Sequence, residues 1–204
     1  VTDLRHAYQE LVAGRRSIRK YTGEPVSKAV LQRLLEAACR APSAHNRQPW
    51  RFVVLQDKSL RRGLMEAMEE SFRADLSRDS LSEDEIERAV SRGRQRMLGA
   101  SAVVLLFLTM EDMDRYPDGN RQSAEHTMAV QSVALAGGQL LMAAHAEGLG
   151  ACWVCSPLFA SAIVRQTLDL PAAWEAQGMI TLGYPDGPGK ARSRKDLDEV
   201  VQWR

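Results

Sequence analysis

From about Ala124 to Glu147 the chain runs through a long, alanine-rich, weakly polar stretch with Gly137-Gly138 in its middle, ended by Gly148 and Gly150. The pattern predicts a helix with glycine at its stop. A helix with so little polarity has to be covered nearly all round, so the fold must offer it a packing surface on every side. The glycine pair has two readings, a place where another backbone comes close or a weak point in the helix. The first is favoured, because a chain of 204 residues has few other helices to supply the cover. A homodimer would provide it; a monomer with one enclosed central helix is the alternative. The stretch is not expected to cross a bilayer, since Gln131, Ser132, Gly137, Gly138, Gln139 and His145 interrupt it between Met128 and Ala146.

The rest of the chain alternates helices and strands without repeats. Leu4 to Val12 has helical apolar spacing and stops at Gly14, and Ser27 caps a second helix to about Cys39. Arg51 to Gln56 reads as a strand. Asp57 caps a helix through about Leu76, and Ser82 with Glu85 forms a capping box for Glu83 to Leu98. Both of those helices are heavily charged and read as solvated surface. Ala102 to Leu108 is a continuous apolar run, as in a strand covered on both faces, and belongs in the middle of the sheet. Ala151 to Val154 and Met179 to Gly183 are short strands around a helix from Leu158 to Leu168, and Glu199 to Trp203 offers an edge strand. The sum is an α+β or mixed α/β layer architecture.

With 45% hydrophobic and 26% charged residues, one compact domain is expected. The net charge of +1 gives no general attraction to nucleic acid or membrane. Three cysteines make no disulfide framework, which points to a reducing cytoplasm, and no signal-peptide pattern opens the chain. Positive charge does gather at Arg15, Arg16, Arg19 and Lys20, and again at Lys190, Arg192, Arg194 and Lys195. If the fold joins the two ends, they form an anion site.

Ligand chemistry concentrates in two places. Arg15 and Ser17 after Gly14 pair a charged fork with a hydroxyl suited to phosphate or ribityl oxygens. The proline-bounded loop Pro42 to Pro49 carries Ser43 and Asn46, whose carboxamide can read the edge of a planar heterocycle; Gln48 can do the same or hold the loop. Trp50 reads as core. His126 and His145 read as packing or hydrogen-bonding residues, with no cluster completing a metal site, and His45 is open to substrate contact. Cys152 and Cys155 have dithiol spacing but sit on a strand leaving a glycine turn, so buried cysteine is favoured over a redox pair.

Arg15-Arg16-Ser17-Ile18-Arg19 resembles the N-terminal flavin-binding motif of the FMN-dependent nitroreductase family. Pro42-Ser43-Ala44-His45-Asn46-Arg47-Gln48-Pro49-Trp50 resembles its second motif, which in the family comes from the other subunit. Gly148 to Val154 resembles the segment beneath the flavin, and Gly183-Tyr184-Pro185 with Lys190-Ala191-Arg192 resembles the closing phosphate-binding segment. The resemblance implies one nitroreductase-like FMN-binding domain over residues 1–204, with a central mixed sheet flanked by helices, in an interlocked homodimer with FMN at the interface. It implies cofactor contacts from Arg15, Arg16, Ser17, Arg19, Pro42, Ser43, Ala44, Asn46, Gln48, Val154, Cys155, Ser156, Lys190 and Arg192. Arg15, Lys190 and Arg192 would hold the phosphate, Ser17 the phosphate or ribityl, and Arg19 the N1 and O2 side of the ring, where reduced flavin is negative. Pro42, Ser43 and Asn46 would reach the ring from the second subunit, and the charged helices from Leu60 to Met97 correspond to an insertion that shapes the substrate channel in the family.

The implied activity is ping-pong hydride transfer from a nicotinamide (NAD(P)H) or similar reductant to a small conjugated acceptor, with no side chain assigned as general acid or nucleophile. Tyr116-Pro117-Asp118, Ala124-Glu125-His126-Thr127-Met128 and Leu170-Pro171-Ala172-Ala173-Trp174-Glu175 resemble, more narrowly, the reductase domain fused to the glutamyl ligase of deazaflavin coenzyme biosynthesis. That adds a deazaflavin precursor to nitro compounds as acceptor classes. The alternative is a flavin- or deazaflavin-binding protein that stores or senses the coenzyme without turnover.

Overall fold

The computed structural model describes residues 3–204. Its frame is a four-stranded sheet in the order β1 (Trp50–Leu55), β2 (Ala102–Thr109), β4 (Trp174–Gly183), β3 (Gly150–Val154). β2 is buried along its whole length and sits in the middle, as its unbroken apolar run predicts. Neighbouring strands pair antiparallel throughout; the parallel pairing among the described residues is an isolated bridge from Ser17 to Ala151 on β3. The two faces of the sheet divide the core. Val104, Leu106, Leu108, Ile180 and Leu182 pack against α2 (Lys28–Ala38) and α5 (Gly119–Ala146), whereas Val103, Leu105, Phe107 and Met179 face α3 (Lys58–Arg78), α4 (Glu83–Gly99) and α7 (Ser161–Thr167).

α5 starts earlier than its apolar run suggests, because Asp118 accepts from the Arg121 amide and caps five residues of polar sequence. In length and hydropathy it does reach the range of a membrane-crossing helix, contrary to the expectation from its polar interruptions. Here its apolar side is spent on the core: Ala129, Val133, Ala136, Leu140 and Ala144 are fully buried. The glycine pair splits between two roles. Gly137 is filled by the indole of Trp153 and by Leu106 rather than by another backbone, and Gly138 faces open space. An outer face with Gln131, Ala134, Leu135 and Gly138 is left exposed.

The capping predictions for Ser27, Asp57 and the Ser82/Glu85 box hold. The reading of α3 and α4 as solvated surface does not. They form a hairpin whose inner side buries Leu64, Met65, Met68, Ile86, Val90 and Met97, together with Arg61, whose guanidinium donates to the Ala100 carbonyl, while the outer side carries ion pairs in which Arg73 and Arg94 grip Glu69. Charge density hid an apolar stripe at helical spacing. The predicted helix Leu158 to Leu168 is broken at Ala160 into α6 (Ser156–Phe159) and α7, so that Ala160 turns inward while Phe159 is 79% exposed. β4 begins at Trp174, five residues before the expected start, because Glu175 and Gln177 interrupt its apolar pattern while its backbone still pairs with β2. The tail forms no edge strand: Asp196 and Glu199 make a reciprocal capping box that starts the helical turn α8 (Leu197–Val200) and leaves Trp203 82% exposed.

Candidate functional site

The two basic runs are neighbours. Tyr21 bridges Pro185, the Thr22 amide donates to the Tyr184 carbonyl at 3.0 Å, and the Asp186 amide donates to the Lys20 carbonyl at 3.1 Å. A side chain at Gly189 would fall 2.6 Å from Arg16 Cβ, so the segment leading into Lys190 and Arg192 lies against the first run. That first run is itself fastened to β3: the Ile18 amide donates to the Ala151 carbonyl at 3.0 Å, and Gly150 has no side chain because Ile18 fills the space. Positive charge from both ends of the sequence is thereby concentrated beside β3, where an anion would be held.

The arginines of the first run divide their work. Arg16 donates to the Arg15 carbonyl at 2.9 Å and to the Ala13 carbonyl, satisfying acceptors at the end of α1 (Leu4–Gly14). Its guanidinium is thus engaged by backbone. Arg15 and Ser17 instead line an open groove of about 850 Å³ along the exposed side of α5, with Leu135, Gly138 and Trp153. Arg19 donates to the Ser17 carbonyl at 3.2 Å. Burial pushes the Cys152 thiol up, against the opposing influence of Arg19, Arg96 and Arg15, so it stays protonated. The sulfur of exposed Cys155 accepts from Trp153 Nε1 at 3.2 Å, and both cysteines are free.

The loop is held in a conformation that side chains resist. His45, Asn46 and Gln48 all have positive φ, between 49° and 54°. Such strain persists only where surrounding contacts over-determine it. Those contacts are visible: Ser43 Oγ accepts from the Gln48 amide at 3.1 Å, Gln48 Nε2 donates to Asn46 Oδ1 at 3.2 Å, and the Ala44 amide donates to Ser132 Oγ on α5 at 3.2 Å. Ion pairs Arg47–Asp114 and Arg51–Asp112 brace its far side. Trp50 is 5% exposed, core as expected. The loop touches α5 at Ser132, but Pro42, Ser43, Ala44, Asn46 and Gln48 do not line the groove of Arg15 and Ser17.

Two further placements matter. His126 Nε2 lies 2.9 Å from Glu175 Oε2, and His145 packs against Gly14, so both serve structure. Val154 and Ser156 face a different space from Trp153: a cavity of about 390 Å³ on the opposite side of the sheet, walled by Met65, Met68, Val90 and Met179. The resemblance ties the Leu60 to Met97 helices to a substrate channel but does not locate this cavity. The spacing of Met65 and Met68 was its one signal, masked by the charges around them.

The chain matches the nitroreductase family over residues 12–184. It is 35% identical over 202 residues to an NADH dehydrogenase of Thermus thermophilus, covering 93% of this chain and 92% of that one. It is 30% identical over 181 residues to the 5,6-dimethylbenzimidazole synthase of Rhodospirillum rubrum, covering 89% and 83%. Among solved structures, a Desulfovibrio desulfuricans protein crystallised in complex with FMN superposes with a TM-score of 0.72 at 28% identity, covering 96% of this chain and 95% of that one.

Proposed function

Because the chain belongs to the nitroreductase family of FMN-dependent oxidoreductases, we propose that it works as an FMN-bearing homodimer that moves hydride from NADH or NADPH to a small conjugated acceptor. The observation that carries this reading is the packing of the segment leading into Lys190 and Arg192 against Arg16 and Ile18 of the first basic run, whose Arg15 and Ser17 line the open groove beside β3. The donor set fits the cofactor: a fork and two further cations for a phosphate, a hydroxyl for ribityl oxygens, and carboxamides at Asn46 and Gln48 for a heterocycle edge. FMN, when bound, supplies the redox chemistry, alternating between reductant and acceptor. Arg19 would set positive charge beside the N1 and O2 side of the ring, which gains negative charge on reduction. Arg16, held by backbone, orients the run rather than gripping the phosphate.

Three observations favour a dimer. Leu4, Tyr8 and Val12 form an apolar stripe on α1 that is 84%, 63% and 48% exposed, α5 keeps a bare outer face, and the loop is separate from the groove within one chain. Each feature calls for a second copy. Within one domain spanning the chain, the loop of each protomer would then complete the other's site. Among acceptors, nitro compounds and a deazaflavin precursor remain the two classes, the latter carried by the Tyr116–Asp118 and Leu170–Glu175 resemblance.

The test is an absorption spectrum of the purified protein before and after anaerobic NADH or NADPH. A yellow protein that bleaches, then recovers its colour on addition of an acceptor, supports the oxidoreductase. Yellow colour that neither nicotinamide bleaches favours storage or sensing. A colourless protein that cannot be reconstituted with FMN overturns the reading.

A further inference from the structure

The cavity between the α3–α4 hairpin and α6 is built for a particular kind of molecule. Its walls are apolar and adaptable: Met65, Met68 and Met179 are at most 8% exposed, and methionine side chains reshape around irregular ligands. At its mouth stand Phe72 and Phe159, 41% and 79% exposed. Polar groups are few. Asp75 is engaged by Arg78 at 2.9 Å, whereas Arg92 and Arg96, one turn apart on α4, make no ion pair or hydrogen bond among the described residues. Other arginines of the hairpin, Arg73 and Arg94, are each paired with glutamate. Two uncommitted guanidinium groups at an apolar chamber are a receptor for an anion with a greasy body.

Gly93 lies between these arginines on the cavity wall. A Cβ there would meet only the end of Met65, at 3.7 Å, so packing does not demand glycine. Glycine inside a helix is disfavoured relative to alanine, and what it preserves here is room.

We propose that this cavity binds an apolar organic anion of about bicyclic aromatic size, its body among the methionines and its carboxylate on Arg92 and Arg96. The cavity shares no lining residue with the groove of Arg15, Ser17 and Trp153 and lies across the sheet from it, so the ligand site is separate from the proposed flavin site.

The probe is 2-naphthoate compared with methyl 2-naphthoate, titrated calorimetrically into the protein as purified and again after FMN loading. Binding of the acid at least tenfold tighter than the ester is expected. Arg96→Gln should remove most of that difference while leaving the ester unchanged, and Gly93→Leu, which fills the chamber, should abolish binding of both. Equal affinity for acid and ester, or naphthoate binding that survives both substitutions, overturns the proposal. Because the titration needs no turnover, a protein that fails here yet is bleached by a nicotinamide keeps its flavin assignment. One that binds naphthoate as described but takes up no FMN keeps the cavity assignment and loses the flavin reading alone.

Discussion

The indole of Trp153 occupies the space that a side chain on Gly137 would need: a Cβ at Gly137 would lie 2.1 Å from Trp153 Cζ3. On its other side the same ring leans on Gly178, where a Cβ would come within 3.0 Å. Two glycines, on α5 and β4, thus make a slot that fixes the tryptophan between the sheet and the proposed flavin groove.

Gly137→Ala is therefore expected to destabilise the protein, although alanine is favoured over glycine in an open helix by about 1 kcal/mol. Overpacking a filled site costs about 1–3 kcal/mol, and the overlap here is with a ring wedged from both sides. Gly63→Ala on α3, with nothing near its Cβ, should be neutral or stabilising. Urea unfolding of both variants checks the contrast; equal stability would mean that Trp153 moves freely out of the slot.

Tyr21 gives the fold a limit at high pH. Its hydroxyl lies 2.8 Å from the Ile18 carbonyl oxygen and 2.9 Å from both the carbonyl and the hydroxyl of Thr181. Burial pushes its ionisation well above the ordinary tyrosine range, with the Thr181 hydrogen bond opposing. A folded-state value raised above the unfolded one means stability that is complete below about pH 10 and falls away as pH rises beyond it. Tyr21→Phe should cost about 0.5–1.5 kcal/mol at neutral pH and flatten the alkaline decline. Unfolding midpoints between neutral pH and pH 11 measure it; a variant that declines as steeply as the parent would exclude Tyr21 as the cause.

Much of this was legible in the sequence, and what was not has physical causes. The run Ala102–Leu108 fits a doubly covered strand by its length and β-branched content and forms one, and Ser27, Asp57 and Ser82 cap helices because short polar side chains satisfy free amides locally. The basic runs could be paired as a hypothesis, but their meeting depends on the Tyr21–Pro185 bridge, a contact between distant parts of the chain. Arg16 and Arg15 look equivalent in sequence; only the carbonyls of Ala13 and Arg15 separate them. The methionine cavity was hidden because the charges of α3 and α4 dominate composition while their inner faces do not.

That difference between adjacent arginines is open to direct test. Arg15→Ala or Arg192→Ala should weaken FMN binding by about 1–3 kcal/mol, the loss for a charged hydrogen-bond partner. Arg16→Ala should mainly loosen the end of α1 and change FMN affinity much less. Fluorescence titration of apoprotein with FMN ranks the three. Unchanged affinity in Arg15→Ala and Arg192→Ala would refute the phosphate assignment, and a dominant loss in Arg16→Ala would move that assignment to Arg16.

The separation of the loop from the groove leads to the sharpest test of a shared site. If Asn46 of one protomer serves the flavin held by Arg15 of the other, Arg15→Ala and Asn46→Ala homodimers each carry two damaged sites. A mixed dimer instead carries one site with both lesions and one with neither. Unfolded together and refolded at equal amounts, random pairing into two-fold dimers makes about a quarter of all sites intact, so activity should rise well above that of either variant. Bleaching rate with a nicotinamide, measured before and after mixing, reads the recovery. No recovery, with mixed dimers verified by mass spectrometry, would mean that each chain builds its site from its own loop, and the strain at His45, Asn46 and Gln48 would then need a different partner.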